Sequence, residues 1–164
     1  MPNTYSQLYV QIVFAVKGRQ NLIQENNRVE LQKFITGIVQ NREQKLLSIF
    51  AMPDHVHILV GLKPNMSLSD LVRDIKAGSS KFINDSKWIH GKFNWQEGYG
   101  AFSYSHSHIG KVYDYILNQD KHHKKKTFKQ EVIKDVYGKF KFDTHMPCIH
   151  IVDIYTIKLT INLS

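Results

Sequence analysis

The stretch KLLSIFAMPDHVHILVGL, residues 45–62, decides the fold. Two short apolar runs, 45–52 and 55–62, flank Pro53–Asp54. Proline at the second position of a turn, followed by aspartate, is favourable turn chemistry, so the stretch predicts a β-hairpin. In its second strand His55 and His57 flank Val56. Residues two apart on a strand point to the same face, which sets the two imidazoles side by side and turns Val56 into the core. Such a pair is a two-ligand platform for a divalent metal. A His-x-His pair alone also describes ordinary surface or core histidines.

The elements on either side extend the same pattern. Residues 5–16 alternate, with Leu8, Val10, Ile12 and Phe14 on one face, which predicts a strand that Lys17–Gly18–Arg19 ends. Over 25–40, Val29, Phe34, Ile35, Ile38 and Val39 recur near helical spacing. After Pro64–Asn65, Ser67 is a candidate N-cap with Asp70 three residues on. Leu68, Leu71, Val72, Ile75 and Phe82 mark the buried side of the helix that follows. Residues 88–104 are aromatic and glycine-punctuated, as expected of loops around a short strand, and Trp88 is read as a packing residue. Helices are expected over 107–123 and 127–137. The order strand–helix–strand–strand–helix–strand predicts an α+β, ferredoxin-like antiparallel sheet with helices packed on it, a fold that serves many functions.

The chain has 164 residues, enough for one domain with a real core. Lys plus Arg number 22 against 14 Asp plus Glu, a net charge of +8. That excess favours a polyanionic partner, with nucleic acid the commonest; a merely solvated basic surface has the same composition. The single cysteine, Cys148, excludes an intrachain disulfide. No signal-peptide core stands at 1–6, and no apolar run approaches the roughly 20 residues a membrane helix needs, so no membrane association and a cytoplasmic location are expected.

A second chemical candidate lies on the 107–123 helix. Ile109, Val112, Tyr113 and Ile116 read as its apolar stripe. Tyr115 falls off that stripe beside the polar Lys111, Asn118, Gln119 and His122. Tyr113 is thus the expected core tyrosine, and Tyr115 is either the chemical one or an amphipathic surface residue. Gln119 lies one turn after Tyr115. The run Lys121–His122–His123–Lys124–Lys125–Lys126 suits phosphate neutralisation, or a solvated helix end. Phe93, Trp95, Tyr99, Phe102 and Tyr104 are candidates for stacking on unpaired bases, if they are not core.

Three strings carry a family resemblance: Met52–Pro53–Asp54–His55–Val56–His57–Ile58–Leu59; Trp95–Gln96–Glu97–Gly98–Tyr99–Gly100–Ala101–Phe102–Ser103; and Tyr115–Ile116–Leu117–Asn118–Gln119 followed by Lys121–His122–His123 and Thr127–Phe128. In this order and spacing they resemble the small insertion-sequence transposases of the TnpA type, single-tyrosine enzymes with a His-hydrophobic-His (HUH) motif. The resemblance runs from Tyr5 to about Glu131. It implies His55, His57 and Gln119 as metal ligands for Mg²⁺ or Mn²⁺, and Tyr115 as a nucleophile that cuts and rejoins single-stranded DNA through a 5′-phosphotyrosine link. Lys111, Lys121, Lys124, Lys125 and Lys126 are the expected DNA contacts. It also implies DNA hairpins at the element's ends as substrate, and a homodimer in which one subunit's tyrosine helix can complete the other's histidine site.

The chain departs from the family pattern after Glu131. At 149–163 the odd positions Ile149, Ile151, Tyr155, Ile157, Leu159, Ile161 and Leu163 are apolar. They predict an extra strand in an atypical extension, 143–164, after a transposase domain over 1–142, or the remnant of a frameshift or truncation. Three rival readings remain. One is a non-catalytic nucleic-acid-binding remnant of a transposase. Another is a phosphoesterase with paired His-x-Thr/Ser motifs, of which a second copy is missing. The last is a three-ligand zinc site at His145, Cys148 and His150.

Overall fold

The computed structural model describes residues 5–119. The chain divides into two units after Leu117. Seven elements make up the first: β1 (Tyr9–Ala15), α1 (Glu25–Asn41), β2 (Lys45–Ala51), β3 (His55–Gly61), α2 (Leu68–Asp85), β4 (Gly100–Tyr104) and α3 (Ile109–Leu117). Short 3₁₀ turns at Lys17–Arg19 and His106–His108 follow β1 and precede α3.

The four strands form one sheet in the order β2-β3-β1-β4 with every pairing antiparallel. This is the expected ferredoxin-like α+β arrangement. The β2–β3 hairpin closes at Met52, whose N–H donates to the His55 carbonyl at 2.8 Å. The turn is held from below by Val16 N–H on the Asp54 carbonyl (2.8 Å) and Ile23 N–H on the Pro53 carbonyl (2.9 Å). Pairing between β2 and β3 shifts between Leu46 and Ser48, a one-residue bulge at Leu47.

The principal core lies between one face of the sheet and helices α1 and α2. Ile12 and Phe14 of β1 and Val56, Ile58 and Val60 of β3 meet Leu31, Ile35 and Val39 of α1 and Leu71, Val72, Ile75 and Ile83 of α2. Ser67 caps α2 as its sequence suggests, its hydroxyl accepting from Asp70 N–H at 3.1 Å. Helix α1 buries Ile35 and Val39 and half-buries Phe34 and Ile38, as expected, and departs from the expected face at Val29. Leu31 is buried and Val29 is 56% exposed, because the i, i+4, i+8 series of 31, 35 and 39 is the row that meets the sheet. Leu8 is exposed too, since it precedes β1.

The other face of the sheet is covered by α3. Leu59, Val112 and Ile116 form a second, smaller buried cluster, with Leu47, Phe50, Tyr104, Ile109 and Tyr115 packed around it. Strand β3 is therefore enclosed on both sides, and His55 through Val60 are all buried. That accounts for its nearly unbroken apolar run.

The segment before β4 is fastened to the end of β1. Trp95 pairs with Val16 and packs edge-on against Phe14 and Phe93 at ring-centroid distances of 4.7 and 4.8 Å. Its indole N–H donates to Ser79 Oγ at 2.9 Å, and that hydroxyl donates to the Ile75 carbonyl at 2.6 Å. Phe93 and Trp95 are thus core residues and not stacking platforms for bases; the burial of both and the long-range contact of Trp95 with Phe14 decide this. Trp88, in the packing role expected of it, lies edge-on against Phe82. Ser79→Ala leaves the buried indole N–H without its acceptor. It is expected to lower stability by about 1–3 kcal/mol, measured by urea unfolding. An unchanged denaturation midpoint would contradict this reading of the network.

Among the described residues, no helix is long and apolar enough to cross a membrane. The expected helix over 127–137, the strand within 143–164, the 142/143 boundary and the cluster His145, Cys148 and His150 all lie outside the described residues.

Candidate active site

Strand β3 places both histidines on the α3 side of the sheet, opposite Val56 and Ile58. His57 is the Cα partner of Val13 in β1 and of Phe50 in β2, and His55 faces Ala15. Their ring centroids are 5.0 Å apart with the planes at 73°. Both side chains are almost wholly buried, at 1% and 3% exposure.

Each ring has its Nδ1 engaged by a neighbouring side chain. His55 Nδ1 lies 2.6 Å from Asp54 Oδ1, and Asp54 is in turn held by Arg19 at 2.8 Å. Burial pushes the His55 imidazole below the ordinary histidine range, against the opposite pull of Asp54. Burial also opposes ionisation of Asp54, but the hydrogen bond with His55 and the neighbouring charges, Arg19 among them, outweigh it and hold the carboxyl below its usual range. At neutral pH this pair is a neutral imidazole donating Nδ1–H to a carboxylate, an arrangement that directs Nε2 to a metal and raises its basicity. His57 Nδ1 lies 3.0 Å from the Gln11 amide nitrogen, and Gln11 Oε1 accepts from the Tyr104 hydroxyl at 2.9 Å.

The donor set fits a divalent ion: two buried imidazoles on one face, each fixed through Nδ1. Among the described residues no three His, Cys, Asp or Glu side chains converge as a ready-made cage. Two imidazoles therefore need oxygen donors of another kind, such as an amide, a phosphate or water.

Helix α3 brings Tyr115 to this face. Its ring stands edge-on to His57, with centroids 6.3 Å apart and planes at 87°. His55, His57 and Tyr115 are thus assembled within one chain. The expected division of the two tyrosines is half overturned. Tyr115 is half-buried beside the histidines, whereas Tyr113, expected in the core, is 40% exposed. Residue 113 stands about 100° around the helix from Val112. The row that packs inward is Val112, Ile116 and Tyr115, so the stripe of apolar residues is not the stripe of buried ones.

Gln119 is buried, and it falls in the second unit, as does Asn118. Lys111 is exposed on α3. Lys121, Lys124, Lys125 and Lys126 lie outside the described residues. Of the other aromatics expected to meet bases, Tyr99, Phe102 and Tyr104 are half-buried. An open cleft of about 320 Å³ carries Lys17, Lys92 and Asn94 on its walls. Sequence reading missed Gln11, which alternation assigns to the outer face of β1 but which is only 3% exposed. It also treated Asp54 as a turn residue alone and Arg19 as a strand terminator.

Comparison with known proteins agrees with this construction. The family described as "Transposase IS200 like" matches residues 4–119. The ISDra2 transposase TnpA of Deinococcus radiodurans is 22% identical over 120 residues, covering 69% of this chain and 84% of the relative. Among solved structures, a protein assigned as a transposase from Deinococcus radiodurans R1 superimposes with a TM-score of 0.59 at 22% identity, covering 73% of this chain and 95% of its own. A REP-associated tyrosine transposase bound to a REP hairpin superimposes with a TM-score of 0.56 at 15% identity, covering 91% and 98%. With the sheet order and the histidine–tyrosine grouping already in place, the match over 4–119 identifies the chain as a member of the IS200-like transposase family.

Proposed function

We propose that this transposase cuts and rejoins single-stranded DNA through Tyr115, with His55, His57 and Gln119 as ligands of a divalent ion, Mg²⁺ or Mn²⁺. The observation that carries the reading is the edge-on approach of Tyr115 to the buried His57–His55 pair. Tyr115 Oη attacks the phosphorus in line. The new O–P bond forms as the bond to the 3′-oxygen breaks; the phenolic proton passes to water, and the departing oxygen takes one up. A 5′-phosphotyrosine and a free 3′-hydroxyl result, and the covalent link retains the phosphodiester for rejoining without a nucleotide triphosphate. When bound, the metal would supply charge stabilisation to the phosphate oxygens. Asp54 and Gln11 hold the two imidazoles in place, and the packing of α3 on Leu59 excludes water from their inner side.

Contact with the DNA backbone is assigned to Lys111, Lys121, Lys124, Lys125 and Lys126, supported by the net charge of +8. A hairpin substrate is supported by the REP hairpin bound to one structural relative. A homodimer is part of the proposal. Tyr113 and Leu117, one turn apart on α3 and 40% and 44% exposed, supply an apolar strip for a second copy.

The test is incubation with single-stranded DNA from the flanks of the encoding gene, with Mg²⁺ or Mn²⁺, followed by a denaturing gel. A covalent protein–DNA adduct is expected. DNA binding without any adduct would favour the non-catalytic remnant instead. A strict monomer by light scattering at micromolar concentration, with full activity, would remove the dimer.

A further inference from the structure

Gln11 stands in the central strand of the sheet, opposite Leu59 of β3 and Phe102 of β4, with its amide wedged between His57 and Tyr104. A primary amide has a donor end and an acceptor end of nearly equal size, and it can be turned over without a change in volume. As it stands, the nitrogen end faces His57 Nδ1 at 3.0 Å and the oxygen end takes the Tyr104 hydroxyl proton at 2.9 Å. An imidazole that accepts at Nδ1 carries its proton on Nε2 when neutral, and a protonated nitrogen has no lone pair for a metal. Turned over, the amide oxygen takes a proton from Nδ1 and the amide nitrogen donates to the Tyr104 oxygen. A tyrosine hydroxyl both donates and accepts, so either orientation satisfies both partners. Only the turned one frees the lone pair of Nε2.

We propose that Gln11 is the positioning residue for His57: its amide, steadied by Tyr104, turns over to move the imidazole proton to Nδ1 when a divalent ion is taken up. His55 needs no such device, because Asp54 accepts from its Nδ1–H whatever is bound. The two histidines of the pair are thus prepared differently, one permanently and one on demand. The assignment rests on the metal reading above and extends it to a residue that never touches the ion.

The experiment measures Mn²⁺ affinity by electron paramagnetic resonance of the free ion, together with imidazole ¹⁵N spectra of the metal-free protein. Gln11→Met keeps the volume and removes both amide ends. It is expected to weaken Mn²⁺ binding by about 10–100-fold, the usual scale for loss of a histidine's outer partner. Gln11→Glu, which can only accept, is expected to restore binding to within about threefold of the parent, on the same scale. It should also show His57 protonated at Nδ1 even without metal, whereas the parent shows the Nε2 proton. That spectral difference does not depend on activity, nor on Gln11→Met folding. Parent-like binding in Gln11→Met, or a His57 tautomer identical in parent and Gln11→Glu, would overturn the role of Gln11 and leave the metal site standing. Parent protein that binds no Mn²⁺ would refute the metal reading itself, and this assignment with it.

Discussion

Tyr115→Phe is expected to abolish the covalent protein–DNA adduct and to lower cleavage of single-stranded DNA on the order of 10⁴-fold or more, the scale on which loss of a nucleophile registers. The substitution removes one oxygen. It leaves the ring that stands on His57 and packs beside Leu59, Val112 and Ile116, so the fold and the affinity for DNA should persist. Tyr113→Phe is the matched control. Tyr113 lies on the outer side of α3, and losing its hydroxyl should leave adduct formation at the parental level. Mass spectrometry of the trapped adduct checks the assignment directly. A nucleotide carried by Tyr113, or by any tyrosine outside α3, would show that the chemistry belongs elsewhere.

The second large effect is expected at His57. His57→Ala removes one of two imidazoles from a face on which no third His, Cys, Asp or Glu joins them among the described residues. Loss of a bound metal's charge stabilisation is worth several kcal/mol, and about 4 kcal/mol is roughly a thousandfold in rate. Binding of single-stranded DNA should change little if, as proposed, lysines on phosphates supply the affinity, and it should keep a steep dependence on salt. Excess EDTA should bring the parent protein to the same low rate as the variant. Undiminished cleavage in EDTA would refute the metal's part in the reaction and leave Tyr115 to be explained without it.

Local patterns in the sequence carried much of this architecture. The Pro53–Asp54 turn, the alternation through His55, Val56 and His57, and the Ser67 cap each depend on neighbours a few residues away, and the structure has all three. What could not be read locally is which side of an element meets the rest of the molecule. Val29 and Tyr113 are apolar enough for a core, yet the rows through Leu31 and Val112 are the ones the sheet receives. Gln11 looks like an outward polar residue until His57 and Tyr104 are brought to either end of its amide. Phe93 and Trp95 suit a stacking surface as well as a core in composition, and Phe14, far away in the chain, settles the choice. The candidate site was legible as a set of residue types, because His-x-His on a strand leaves little freedom of direction. Its supporting partners, Gln11 and Arg19, were not, since both reach it across strands or turns.

Enclosure of β3 on both faces bears on how the molecule comes apart. Local opening events in a folded chain begin at frayed ends and thinly covered segments, and the elements packed on all sides exchange their amide protons only when the whole structure opens. His55 and His57 belong to the most enclosed strand of this sheet. Partial melting at the edge strands or in the loop after β1 therefore leaves their spacing intact, and the histidine pair is lost only with the fold. Heat or denaturant should not produce a population whose sheet is still folded but whose two imidazoles have parted, so the pair's lifetime is the lifetime of the sheet.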